Sequence, residues 1–348
     1  MKIDKLNFLS LDKFIENALY DKKKGFYMKK NPFGKRGDFI TAPNISVLFS
    51  EMVFVWIHSI WEYFNKPKKI NFVELGAGNG EMFFQILKTS EKFKNFNDSF
   101  NFFIFEKSDY LKKIQSKKLK NYNVIWLKEL NKIPTCPTIF FANEFFDALP
   151  IKQFIKNGEL WYEKYIKINN GKIIFINKKI KMKNFENKFK INLSKNRNFI
   201  EFSPLGYNLL KKISYIIKKN NGGLLIIDYG SDKEKMKNTL QAVKNHKIVN
   251  LINTNKEVDI TYSINFKLIR QIIEKFNLSL NGYTNQRNFL INLGILQRAE
   301  ILSKNLKFSE KANIYSRLTR LIDKKLMGDL FKVAFISKKK NKFDVGFK

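Results

Sequence analysis

Four short apolar runs alternating with helix-period segments, and a glycine triplet where the first run ends, predict an α/β protein built on a mostly parallel sheet. The runs cover residues 70–75, 101–106, 122–127 and 138–142, with helical patterns over 81–94 and 108–119. Parallel strands joined through helices need right-handed crossovers. Ligands in such sheets gather at the carboxyl ends of the strands, where Gly76 to Gly80, Glu106 and Asn143 are expected to converge.

The elements follow in order. Residues 1–43 carry one short helix, about 11–19, and a loop punctuated by Gly25, Pro32, Gly34 and Gly37 that ends in Gly-Asp-Phe-Ile-Thr-Ala-Pro. Asn44 is placed to cap a long apolar helix running to Phe64. That helix contains Glu51, His58 and Glu62, and no window approaches 18 uncharged apolar residues, so a buried helix is expected and no membrane span. After Pro150 the pattern changes: residues 151–180 alternate apolar and polar around Asn157-Gly158 and Asn169-Asn170-Gly171, which predicts an antiparallel hairpin insertion. Residues 183–198 read as a charged linker, followed by a helix over 204–219 and a buried strand over 224–228. Additional helices are expected at 266–277, 287–304 and 309–327, with edge strands at 278–284 and 331–337. The chain then divides into an N-terminal helical and lid segment (1–68), a ligand-binding Rossmann-like half (69–150), the insertion (151–200) and a second half of the core with a helical insertion (201–348).

The ligand is narrowed by Glu74-Leu75-Gly76-Ala77-Gly78-Asn79-Gly80. Gly76, Gly78 and Gly80 permit a tight turn whose backbone N–H groups meet a ligand, with Ala77 in the same turn. Glu74 puts a carboxylate where a phosphate is unwelcome. S-adenosylmethionine fits, being cationic at sulfur and nitrogen and free of phosphate; a dinucleotide fits poorly. Glu106 ends the second strand, the position from which an acid bonds ribose hydroxyls. It lies 26 residues after Gly80 (106 − 80), beyond the usual spacing of about 20, and a long crossover accounts for the difference.

Composition narrows the classes further. With 348 residues and 44% hydrophobic content the chain supports a large core. The net charge of +34 invites a nucleic-acid reading, but only seven of the 65 basic residues are arginine, and the lysines are scattered. Abundant Lys, Asn, Ile and Phe together point to A/T-rich codons, and nucleic acid is not the expected partner. One cysteine, Cys136, excludes a disulfide framework; with two histidines, His58 and His246, no metal site is expected. His58, inside an apolar run, is expected to pack or cap locally.

Asn143-Glu144-Phe145-Phe146-Asp147-Ala148-Leu149-Pro150 directly follows the fourth strand. Glu144 and Asp147 are three apart, so one helical turn would aim both carboxylates the same way. Two carboxylates suit a guanidinium, held bidentately with one nitrogen facing a methyl donor, and Asn143 adds a donor or acceptor. The alternative is that Glu144 caps a helix and Asp147 is solvated.

The chain resembles the MidA-type methyltransferases, a family that includes the mitochondrial arginine methyltransferase assisting complex I assembly. The matching blocks are Ala18-Leu19-Tyr20-Asp21 with Gly25-Phe26-Tyr27, Gly37 to Pro43, Glu74 to Gly80, and Asn143 to Pro150. They continue through Asp228-Tyr229-Gly230, His246, Asp259-Ile260-Thr261, Gln286 with Phe289-Leu290 and Leu293-Gly294, and Met327 to Val333. The resemblance implies a class I (Rossmann-like) methyltransferase fold, S-adenosyl-L-methionine as donor, and a protein arginine as acceptor, on a respiratory complex I subunit. It also implies that Gly37 to Pro43 closes over the donor, with Asp38 and Thr41 as contacts. The family pattern has Gly-Pro-Gly-Arg-Gly-Thr where this chain reads Gly76-Ala77-Gly78-Asn79-Gly80-Glu81; Asn44 stands for a usual Glu, Asp109 for a Pro, and Asn265 for an Asp. The first block begins too early to leave room for a transit peptide, so a bacterial cytoplasm is expected. An RNA or small-molecule methyltransferase of the same fold, or a non-catalytic assembly factor, are the alternative functions. The sequence leaves open whether the protein is a monomer or a homodimer.

Overall fold

The structure, a computed structural model, describes residues 8–34, 41–169, 172–244, 247–249 and 258–348. In chain order, β1 (Phe8–Ser10) precedes the helices Leu11–Tyr20 and Val47–Tyr63, and then β2 (Ile70–Leu75), β3 (Phe100–Phe105), β4 (Val124–Leu127) and β5 (Thr138–Asn143) alternate with helices. Strands β6 (Lys152–Asn157), β7 (Leu160–Asn169), β8 (Lys172–Ile180) and β9 (Phe199–Phe202) form the insertion. The helix Pro204–Asn220 leads back to β10 (Gly222–Ser231). After β10 come β11 (Gln241–Lys244), β12 (Lys247–Val249), β13 (Asp259–Thr261), β14 (Ile264–Asn265), β15 (Ser279–Asn285) and β16 (Phe331–Ser337).

The central sheet has the order β15-β16-β10-β5-β2-β3-β4, with β14 paired to β10. Strands β4, β3, β2, β5 and β10 run parallel to one another, whereas β16 is antiparallel to both β10 and β15. This is the class I methyltransferase arrangement. Period-two alternation sends Phe72, Phe141, Leu225 and Phe335 to one face, beneath the helices Val47–Tyr63 and Glu81–Ser90. Val73, Phe140, Ile226 and Ala334 go to the other, beneath Pro204–Asn220 and Phe266–Lys275. Each fully buried Phe contributes about 1.5–3 kcal/mol relative to exposure, which makes these two layers the main stabilising term.

Several sequence expectations are corrected. Ser46, not Asn44, caps the long helix, its hydroxyl accepting Leu48 N–H; residues Ala42–Ile45 form a separate turn. Residues 183–198 are not a linker: the helix Met182–Phe189 buries Met182 and Phe189, and Ile191 and Leu193 continue that apolar layer. Lys183, Asn184, Glu186, Asn187 and Lys188 between the apolar positions masked this amphipathic pattern. The pattern over 287–304 splits at Gly294, in left-handed backbone, into helices Gln286–Asn292 and Ile295–Ser303. β16 is an interior strand and β15 the edge, because a late antiparallel strand slots between β10 and the edge. The antiparallel sheet of the insertion also takes in β1, which pairs with β7. His58 packs among aromatic rings, 5.4 Å from Phe96.

Candidate functional site

A cavity of about 750 Å³ opens where the carboxyl ends of β2, β3, β5 and β10 meet. Crossovers leave β2 and β5 toward opposite edges of the sheet, which opens a crevice between their ends. Gly76 and Gly78 line it, both in left-handed backbone. A Cβ on Gly76 would come 2.6 Å from the Phe145 ring, so only glycine permits this approach. Gly80 starts the helix Glu81–Ser90, and Ala77 is buried in the core, so any ligand contact from Ala77 comes through its backbone.

Glu74 is 4% exposed beneath the loop, and its Oε2 has no hydrogen-bond partner among the described residues. Burial, with the nearby Glu106 carboxylate, pushes its pKa up to about 8. Glu106 lines the cavity: Oε1 accepts Ser108 N–H at 2.8 Å and Oε2 accepts from Gln115 Nε2 at 3.1 Å. Burial raises its pKa, and these two hydrogen bonds oppose the rise. Gln115 also donates to the Gly78 carbonyl at 2.8 Å, tying the glycine loop to Glu106.

Glu144 and Asp147 both line the cavity, but not from a helical turn. Residues 144–149 form turns and bends; Glu144 has φ +48°, a strained value for a non-glycine residue. The segment is held by Asp228, fully buried in β10 one residue past its last pairing with β5. Its Oδ2 accepts Phe146 N–H at 3.1 Å and Asp147 N–H at 3.3 Å, and its Oδ1 accepts Tyr229 N–H at 2.9 Å. Glu144 Oε1 accepts from Ala42 N–H at 3.4 Å and Asn143 Nδ2 at 3.2 Å; burial pushes its pKa up to about 7. Asp147 is buried, its Oδ1 unpartnered among the described residues; burial and then the Asp228 carboxylate raise its pKa well above normal, and burial and then the Glu144 carboxylate do the same to Asp228. Asn143 leaves its Oδ1 buried without a partner among the described residues.

Thr41 lines the cavity, its hydroxyl accepting from Asn44 Nδ2 at 2.8 Å. Asp38 and His246 lie outside the described residues. Asp259 and Tyr27 also line the cavity and are hydrogen-bonded to each other. Asp228 and Asp259 stood in recognisable blocks, and Asp228 had a usable signal as well, an acid at the end of an expected strand, as at Glu106. Tyr20 and Tyr27 stood in such blocks too, whereas Phe33 and Gln115 had no signal.

Among the described residues the cavity is lined by six carboxylates, from Glu16, Glu106, Glu129, Glu144, Asp147 and Asp259, against four lysines, Lys107, Lys112, Lys128 and Lys212, in a chain of net charge +34. The orphaned Glu74 oxygen, the left-handed glycine backbone at Gly76 and Gly78 and this excess of carboxylates fit a ligand with positive charges and hydroxyls, as S-adenosylmethionine has. Residues 52–284 match the family model described as "Putative S-adenosyl-L-methionine-dependent methyltransferase". The chain belongs to this family. Its donor is S-adenosylmethionine. Among relatives of this methyltransferase, a mitochondrial protein arginine methyltransferase of Danio rerio is 28% identical, over 93% of this chain and 82% of that protein. The protein of the same name in Homo sapiens is 26% identical over 95% and 80%. A Burkholderia thailandensis protein crystallised with S-adenosyl-homocysteine shares the methyltransferase fold at TM-score 0.79 and 21% identity, over 98% of this chain and 89% of that one. Among the described residues no helix is long and apolar enough to cross a membrane.

Proposed function

We propose that the enzyme transfers a methyl group to an arginine side chain of a protein, with a respiratory complex I subunit as the acceptor on the strength of the family resemblance. The observation that carries the arginine reading is the group of carboxylates, half-buried Glu144 with buried Asp147 and Asp259, lining one cavity with the glycine loop. A guanidinium stays cationic at any working pH, so it enters charged and needs carboxylates to offset its desolvation. The names of the curated relatives support arginine.

S-adenosylmethionine, when bound, supplies an electrophilic methyl group on a sulfonium. In this reading Glu74 and the backbone of Gly76, Ala77, Gly78 and Gly80 hold its methionine part, Glu106 its ribose hydroxyls, and Thr41 and Asp38 close over it. Glu144 and Asp147 grip the guanidinium and Asn143 orients Glu144, so that one nitrogen faces the methyl carbon; most of the rate then comes from positioning and electrostatics. The nitrogen gives up one proton, which Glu144 Oε accepts, its pKa of about 7 suiting that step.

The test is mass spectrometry of complex I subunits co-expressed with the wild-type chain and with Glu144→Gln. Methylarginine that depends on Glu144 supports the reading. Methyl groups found only on lysine, on RNA or on small molecules overturn it.

A further inference from the structure

The mechanism above leaves unused a run of contacts made by the N-terminal segment. Tyr27 is buried in the cavity wall and bonded on three sides. Its hydroxyl donates to Asp259 Oδ1 at 2.7 Å. Its carbonyl accepts from Ser108 Oγ at 2.6 Å, and the Ser108 N–H in turn donates to Glu106 at 2.8 Å. Its ring stacks on Tyr20, with centroids 5.6 Å apart, and on Phe33 at 6.3 Å. Phe33 rests against the donor loop, where a Cβ on Gly78 would meet its ring at 3.3 Å. Tyr20 is pinned to the acceptor side through its hydroxyl, which donates to the Ala148 carbonyl at 3.2 Å, one residue beyond Asp147.

A bonded path therefore runs Glu106–Ser108–Tyr27–Asp259, from the donor side of the cavity to its acceptor side. A carboxylate in a crowded wall can turn either oxygen toward the cavity. The Tyr27 hydroxyl narrows that choice by claiming Oδ1. Whatever holds Glu106 in place also steadies Ser108 and the Tyr27 backbone, and through them the hydroxyl.

We propose that Tyr27 is a positioning residue that couples donor occupancy at Glu106 to the aim of the Asp259 carboxylate at the acceptor cation. The inference rests on the reading of the acceptor as a side-chain cation. It makes donor and acceptor binding mutually reinforcing, and linkage requires the same factor in both directions. The hydroxyl, not the ring, carries the effect, so Tyr27→Phe keeps the stack on Tyr20 and Phe33 while breaking the link.

The test uses the full chain, S-adenosylhomocysteine and N-acetyl-arginine amide, each titrated by calorimetry with and without the other. In the wild type each is expected to strengthen the other by about fivefold or more, the lower end of usual coupling. In Tyr27→Phe the affinity for S-adenosylhomocysteine alone is expected to stay within about threefold while the coupling falls to about one. Asp259→Asn is expected to abolish the same coupling, and the double variant to lose nothing more. A loss of affinity for S-adenosylhomocysteine with the coupling intact makes Tyr27 a roof for the donor only and overturns the proposal, as does unchanged coupling. N-acetyl-lysine amide and an oligouridylate are run alongside. If the wild type takes one of these instead, the arginine reading fails and the same cycle with that probe decides the role of Tyr27; if it takes none, both fail.

Discussion

Asn79 Nδ2 donates to Asn44 Oδ1 at 2.9 Å. These are two of the positions at which the chain departs from the family pattern, Asn79 where Arg is usual and Asn44 where Glu is usual. An acid and a base expected far apart in sequence are thus replaced together by two amides that face each other. In this chain the contact between the two positions is a neutral amide–amide hydrogen bond. Asn44→Glu and Asn79→Arg made singly each put an unpaired charge beside the glycine loop, and each is expected to lower Tm by roughly 2–4 °C, the effect of about 1 kcal/mol. Made together they are expected to recover nearly all of it. Additive losses in thermal melts would refute the pairing.

Glu144→Gln keeps the shape of the acceptor site and removes its charge. Loss of a charge-assisted pair in a desolvated site is expected to slow transfer by roughly two orders of magnitude or more, with donor affinity nearly unchanged. Wild-type turnover of a protein acceptor by this variant contradicts the anchoring role.

Activity should depend on pH through the same residue. The Glu144 pKa is raised to about 7, so below that value the carboxyl is protonated and cannot pair with a cation. The kcat/KM for the acceptor is expected to rise with pH through about 7 and then level off. In Glu144→Gln that limb should vanish, and a profile identical to wild type removes Glu144 as its source.

Glu74 sets stability against function. Its folded pKa, about 8, lies above its unfolded value, so the folded state binds more protons and the ligand-free enzyme loses stability as pH rises from the ordinary carboxylate range to about 8. Glu74→Gln removes this charge. At pH 8 its ligand-free form is expected to melt roughly 2 °C or more above wild type, while affinity for S-adenosylhomocysteine falls by about tenfold or more. A variant that melts lower at pH 8 and binds normally contradicts both statements.

Gly78 has φ +53°, a region a β-branched residue avoids, and a Cβ there already crowds Phe33. Gly78→Val is expected to abolish donor binding in calorimetry. Unchanged affinity would displace the donor from this loop.

The sequence by itself determined the parallel core, the acid-then-glycine turn, Glu106 at the second strand and the Asn143 to Pro150 block, because each is local. Strand periodicity, glycine's freedom and an acid at a strand end are written within a few neighbouring residues. It also determined that Glu144 and Asp147 belong together, though by a helical spacing the chain does not adopt. What brings them together is Asp228, 81 residues further on, whose carboxylate holds the Phe146 and Asp147 N–H groups in a turn. The place of β16 between β10 and β15, the Tyr27–Asp259 bond across 232 residues and the Asn44–Asn79 pair were likewise decided only by tertiary structure. Contacts between distant segments depend on how the layers pack, and no local pattern of side chains encodes that.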